Sequence, residues 1–143
     1  MKTIHGTAVV LDTRGVLLTG EAGAGKSSLA RALVEAVMRD NQFARWVADD
    51  RLAPRSGSGG ALVVSAPKEI LGIAEHSHLG ILGVEYVRSA RIDLICELTD
   101  KQNLERMPDE QFHHLWPQIP LINVGKRSLE VSVPLILNKL MRH

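Results

Sequence analysis

Aromatic side chains make up only 3% of this 143-residue chain, and it contains a single cysteine, Cys96. So few aromatics leave no platform on which bases could stack, which excludes single-strand grips and aromatic RNA readout. One cysteine excludes an internal disulfide and fits a reducing compartment, so the chain is expected in the cytoplasm. Cys96 sits in the apolar stretch 92–98, where a thiol reads as a small buried hydrophobe rather than a nucleophile. No apolar run reaches the roughly 18 residues of a membrane span. The start, Met1-Lys2-Thr3-Ile4-His5, lacks a signal-peptide core. Charge of one sign is missing too: 17 Lys and Arg against 16 Asp and Glu leave +1. No general field draws in nucleic acid. The length suits one domain over residues 1–143, a sheet with helices packed on it.

What is present centres on Gly20-Glu21-Ala22-Gly23-Ala24-Gly25-Lys26-Ser27. This run fits the phosphate-binding loop pattern G-x-x-x-x-G-K-[ST] at every fixed position. Val16-Leu17-Leu18-Thr19 before it suits a buried strand, and residues 29, 33, 36 and 37 after it are apolar at helical spacing. Glycines let the backbone curl until consecutive N–H groups converge on an anion at the positive end of the helix. Lys26 is then expected on the β- and γ-phosphates of ATP, and the Ser27 hydroxyl on Mg²⁺.

Around that loop the pattern predicts an α/β chain. Strands at 7–11 and 16–19 form a hairpin about the turn Asp12-Thr13-Arg14-Gly15. A helix spans 27–39, and a strand over 43–48 delivers Asp49-Asp50 at its C-terminal end. Ligands gather at that edge of open sheets, so the acidic pair is expected beside the loop. Side chains alternate along an extended strand, so one carboxylate can face a metal and the other an acceptor. The residues alone do not assign which. A second hairpin links 51–53 to 61–65 through a Gly/Ser turn. Pro67 opens a short helix over 68–74, an apolar strand follows at 79–84, and 91–98 is a central strand. Residues 99–109 read as a surface loop, and 119–124 as an edge strand interrupted by Pro120. Gly125-Lys126-Arg127 makes a basic turn. A closing helix from Val133 has Pro134 in its first turn and Leu137, Leu140 and Met141 toward the core.

These stretches together resemble the HPr kinase/phosphorylases of bacterial sugar-transport regulation. The likeness runs from His5-Gly6 through Arg14-Gly15-Val16-Leu17-Leu18-Thr19-Gly20 into the loop, then through Val47-Ala48-Asp49-Asp50. Ala66-Pro67, Glu75 and Leu79-Gly80-Ile81 continue it, followed by Glu105-Arg106-Met107 and the basic turn. The resemblance implies a P-loop kinase domain related to phosphoenolpyruvate carboxykinase, a mixed sheet with flanking helices. It implies ATP- and Mg²⁺-dependent phosphorylation of a serine on the phosphocarrier protein HPr, and a reverse phosphorolysis that yields pyrophosphate. By matching position, Lys26 and Ser27 hold triphosphate and metal. Asp50 is the general base, Asp49 supports the metal or orients its neighbour, and Glu75 serves Mg²⁺. His5 and Arg106 stabilise charge on the transferring group, and residues 125–127 serve the reverse direction. The family's hexameric habit allows a homo-oligomer.

Three departures stand out. Ser28 replaces the family's glutamate, Ser77-His78 replace its Arg-Gly, and the stretch between loop and acidic pair is longer. They weigh against the phosphorylase direction more than against the kinase. Two other readings stay open: a P-loop kinase with another acceptor, and an ATP-binding regulatory module with little turnover.

Overall fold

The computed structural model describes residues 3–76, 78–104 and 111–141. Eleven strands and three α-helices alternate along them: β1 (Ile4–His5), β2 (Thr7–Leu11), β3 (Arg14–Thr19), α1 (Lys26–Arg39), β4 (Ala44–Ala48), β5 (Arg51–Ser56), β6 (Leu62–Ser65), β7 (Ile73–His76), β8 (Gly80–Gly83), β9 (Ser89–Thr99), α2 (Lys101–Leu104), β10 (Gln111–Phe112), β11 (Pro120–Gly125) and α3 (Leu129–Met141). Nine of the strands make one mixed sheet in the order β1-β5-β6-β9-β3-β2-β4, with β11 on β9 and β10 on β11. β7 and β8 pair only with each other.

Strand direction positions the site. β3 and β11 both run parallel to β9, and β4 pairs antiparallel to β2, itself antiparallel to β3. The C-terminal ends of β3, β4, β9 and β11 therefore meet at one edge, and the glycine loop, Asp49-Asp50, Asp100 and the basic turn all emerge there. The central strand β3 has Val16, Leu17 and Leu18 fully buried, as expected of a strand covered on both faces. Val16 and Leu18 join Leu29, Leu33 and Ile136 of α1 and α3 in one core. Leu17 turns to the other face, against Leu52, Leu62 and Val64 of the sheet's curled wing. Gly15 sits so close to β9 that an added Cβ would lie 2.0 Å from the Arg91 carbonyl oxygen. Only glycine lets β3 approach there. Burial pushes the Cys96 thiol far up, in keeping with a packing role.

The first hairpin, α1 and β4 lie where the sequence places them. The stretch 68–74 does not form the expected helix: a single 3₁₀ turn at Lys68–Ile70 gives way to β7. Pro67 is extended and Gly72 adopts φ 76°, which ends helical geometry before a second turn. β8 falls within the expected 79–84 strand but stands outside the main sheet. Thr99 ends β9, and the expected 99–109 loop contains the four-residue α2, with 105–110 outside the described residues. The expected edge strand β11 has β9 on one side and, at Pro120 and Leu121, β10 on the other. α3 starts four residues early, at Leu129, so Pro134 lies inside the helix rather than in its first turn. Leu140 is buried and Leu137 packs against the core, whereas Met141 is 78% exposed and Ile136 takes the central place. No helix among the described residues is long and apolar enough to cross a membrane.

Candidate active site

The loop 20–25 leaves β3 and turns into α1 at Gly25, whose φ of 101° is the left-handed region that glycine enters freely. No side chain caps the helix and its first turn carries no acidic residue. Its leading N–H groups therefore keep their partial positive charge for an external anion. Lys26 is 7% exposed and folds back over the loop, its Nζ donating to the carbonyls of Gly20 (2.9 Å) and Glu21 (3.0 Å). The basic turn closes on the same loop. Arg127 Nη2 donates to the Gly23 carbonyl at 2.5 Å. Lys126 Nζ lies 3.2 Å from Asp100 and 3.6 Å from Glu21.

The two acids have different surroundings. Asp49 is buried and fully engaged: Oδ1 accepts from Ser27 Oγ at 2.6 Å and from Thr7 Oγ1 at 3.0 Å, and Oδ2 accepts from the Glu75 N–H at 2.8 Å. Asp50 is exposed, with φ 73°. Its N–H donates to Thr7 Oγ1 at 3.1 Å, and its carbonyl accepts from the Gly6 N–H at 3.0 Å. A carboxylate tied three ways can orient a hydroxyl or a metal but has no room to shuttle a proton. A carboxylate open to the cleft has that freedom.

These groups share an open cleft of about 760 Å³. Gly23, Gly25, Lys26, Ser27, Ser28, Asp49, Asp50, Glu75 and Arg127 are all on its wall, as is Ala22. Gly20, Glu21 and Ala24 shape the loop behind it. Glu75 is exposed on β7, a strand held to α1 where Arg31 Nη2 donates to the Glu75 carbonyl at 3.2 Å. His5 is exposed on β1, in register with Arg51 of the cleft wall but not on the wall itself. Arg106 and Ser77 lie outside the described residues, and His78 is exposed in the β7–β8 turn. Sequence reasoning missed Arg51, the apolar wall of Ile70, Ile73, Ile81 and Leu129, and Thr7. Arg51 directly follows the acidic pair, but the apolar residues have no signature: Ile70 sits in the 3₁₀ turn, Ile73 and Ile81 on β7 and β8, and Leu129 opens α3, segments that no local pattern brings together.

A strand that ends in a glycine-rich turn, with the serine after it bonded to an acid at the end of β4, two strands away in the sheet, places the fold among P-loop kinase-type domains. Comparison with known proteins narrows that class. Residues 1–134 match the model of the HPr Serine kinase C-terminal domain. The HPr kinase/phosphorylase of Caldicellulosiruptor bescii is 40% identical over 111 residues, 72% of this chain and 34% of its own length. That of Caldanaerobacter subterraneus subsp. tengcongensis is 36% identical over 140 residues, 87% of this chain and 43% of its own length. The solved structure of the Hpr(Ser) kinase/phosphatase from Coxiella burnetii superposes with a TM-score of 0.80 at 24% identity, covering 99% of this chain and 98% of that one. The chain belongs to the HPr Serine kinase C-terminal domain family, and it spans well under half the length of these curated relatives.

Proposed function

We propose that this domain, in the cytoplasm, transfers the γ-phosphoryl group of ATP to a serine of the phosphocarrier protein HPr. The observation that carries the reading is the contrast between the acids: Asp49 bonded to Ser27 at 2.6 Å, and Asp50 exposed on the same wall. The loop amides and Lys26 hold the triphosphate, the ammonium exchanging two carbonyls for phosphate oxygens. Ser27 and Asp49, with Glu75 beside them, offer the hard oxygen donors that suit Mg²⁺. Among the described residues no three His, Cys, Asp or Glu side chains form a cage. When bound, Mg²⁺ neutralises charge on the β- and γ-oxygens. Asp50 accepts the proton of the serine hydroxyl as the serine oxygen attacks the γ-phosphorus, the bond to the bridging oxygen breaks and ADP leaves. Arg51 and Arg127 on the cleft wall supply cations for the equatorial oxygens, and by the family resemblance His5 and Arg106 stabilise the same charge. In reverse, a phosphate oxygen attacks phosphoserine phosphorus, Asp50 returns the proton to the departing serine, and pyrophosphate leaves. Ser77, which takes the place of the family's arginine, carries no charge. The reverse direction is expected to be the slower.

Incubation with labelled ATP and HPr tests the reading. Label on an HPr serine, lost in Asp50→Asn, supports it. Transfer only to another acceptor, or ATP binding with no transfer, overturns it. Phosphoserine-HPr plus inorganic phosphate tests the reverse reaction through release of pyrophosphate.

A further inference from the structure

Thr7 precedes the phosphate loop by more than ten residues, in no phosphate-binding pattern, and it is completely buried. Its hydroxyl nevertheless touches both acids of the cleft. Asp49 Oδ1 lies 3.0 Å away and the Asp50 N–H 3.1 Å away. The chemistry fixes the direction of each bond. A main-chain N–H can only donate, so Thr7 Oγ1 accepts from Asp50, and its one proton is left for the Asp49 carboxylate, which accepts. The chain runs from Asp50 N–H to the Thr7 hydroxyl to Asp49, with Ser27 Oγ feeding the same carboxylate oxygen at 2.6 Å.

That chain has a conformational consequence. Asp50 holds φ 73°, an unusual value for a residue other than glycine, where its short side chain is among the few tolerated. Its peptide groups are held on both sides, the N–H by Thr7 and the carbonyl by the Gly6 N–H at 3.0 Å. Both bonds come from the start of β2 and the residue before it, so one segment sets where the Asp50 side chain leaves the strand. We propose that Thr7 is a positioning residue that couples the two acids. It fixes Asp49 toward Ser27 and holds the Asp50 backbone in the turned conformation that presents its carboxylate to the acceptor. The catalytic part of this inference rests on the function proposed above, but the clamp itself does not.

The test replaces Thr7 with valine, which has the same shape and lacks the hydroxyl, and with serine, which restores it. Thr7→Val is expected to lower kcat about 10²-fold, the scale of a small misplacement of a catalytic group. KM for ATP stays within a few-fold of the parent, and Thr7→Ser recovers most of kcat. In the same proteins, hydrogen exchange at the Asp50 amide should speed up in the valine variant and slow again in the serine variant. Unchanged exchange in Thr7→Val overturns the clamp. Faster exchange with unchanged kcat overturns the positioning role. Equal loss of kcat in both variants, tracking a common fall in melting temperature, reduces Thr7 to packing and also overturns it. Should the parent fail to phosphorylate HPr, the function proposed above fails, while the exchange measurement still decides the clamp.

Discussion

The side of the cleft formed by the phosphate loop and α1 rests on a core in which Val16, Leu17, Leu18 and Leu29 have 2% exposure or less, while in the β7–β8 hairpin Leu79 and Ile81 stand 67% and 69% exposed. The first wall is built by neighbours in sequence. β3, the loop and α1 follow one another, β2 pairs with β3 across a tight turn, and β4 adds to β2. The second wall, β7 and β8, pairs with no strand of the main sheet among the described residues. It is fastened by scattered bonds, such as Arg31 to the Glu75 carbonyl and the Glu75 N–H to Asp49. Burial of this kind is where folding free energy resides, whereas an exposed apolar surface beside a reactive group is available to a partner. On the proposed function, the difference separates a wall that keeps the fold from a wall that would meet the acceptor.

Substitutions can break or sharpen that contrast. The largest effect is expected from Asp50→Asn, which removes the proposed base and should lower kcat for phosphoryl transfer roughly 10²- to 10⁴-fold. ATP affinity, read by calorimetry, should remain. Lys26→Met should cost about 10²- to 10³-fold in kcat/KM for ATP, the scale of one lost charge-stabilising donor. In denaturant unfolding, Leu33→Ala in the buried wall should cost about 2–5 kcal/mol. Ile81→Ser in the exposed wall should stay within about 0.5 kcal/mol, yet raise KM for the acceptor while leaving KM for ATP unchanged. Equal stability losses in these last two would erase the distinction. The smallest effect belongs to neither wall. Burial, then the nearby His114, lower the His113 pKa from its ordinary 6.5, with Glu97 opposing them. The unfolded chain then takes up the proton at higher pH than the folded one. Stability from the neutral ring is complete above pH 6.5 and declines as pH falls through the lower folded value. A small fall in melting temperature between pH 7 and 5 should be absent from His113→Gln.

The same contrast explains what could be read from the chain before its structure. Glycine spacing, the alternation from strand to helix and the acids after Val47-Ala48 are local signals, and each landed in place. The hairpin was half missed, because Pro67 and the residues after it carry a helix-start signal that Gly72 and the pairing of Ile73 with Gly83 override. Pro134 misled for a related reason. Its ring fits a first turn, but Ser128 accepts the N–H of Ser132 at 2.8 Å and starts the helix earlier. Which acid is free was not legible either. That depends on Thr7 and Glu75, which lie 42 and 26 positions from Asp49, and no local pattern records such pairings.

The bond from Arg127 to the Gly23 carbonyl joins segments 104 positions apart. A peptide trimmed to the glycine-lysine-serine signature and its two flanking elements would keep every letter of that signature and lose its brace. The proposed nucleotide grip is therefore not a portable cassette. Transplanted into a foreign scaffold, it would need a substitute for a contact that only the far end of this chain provides.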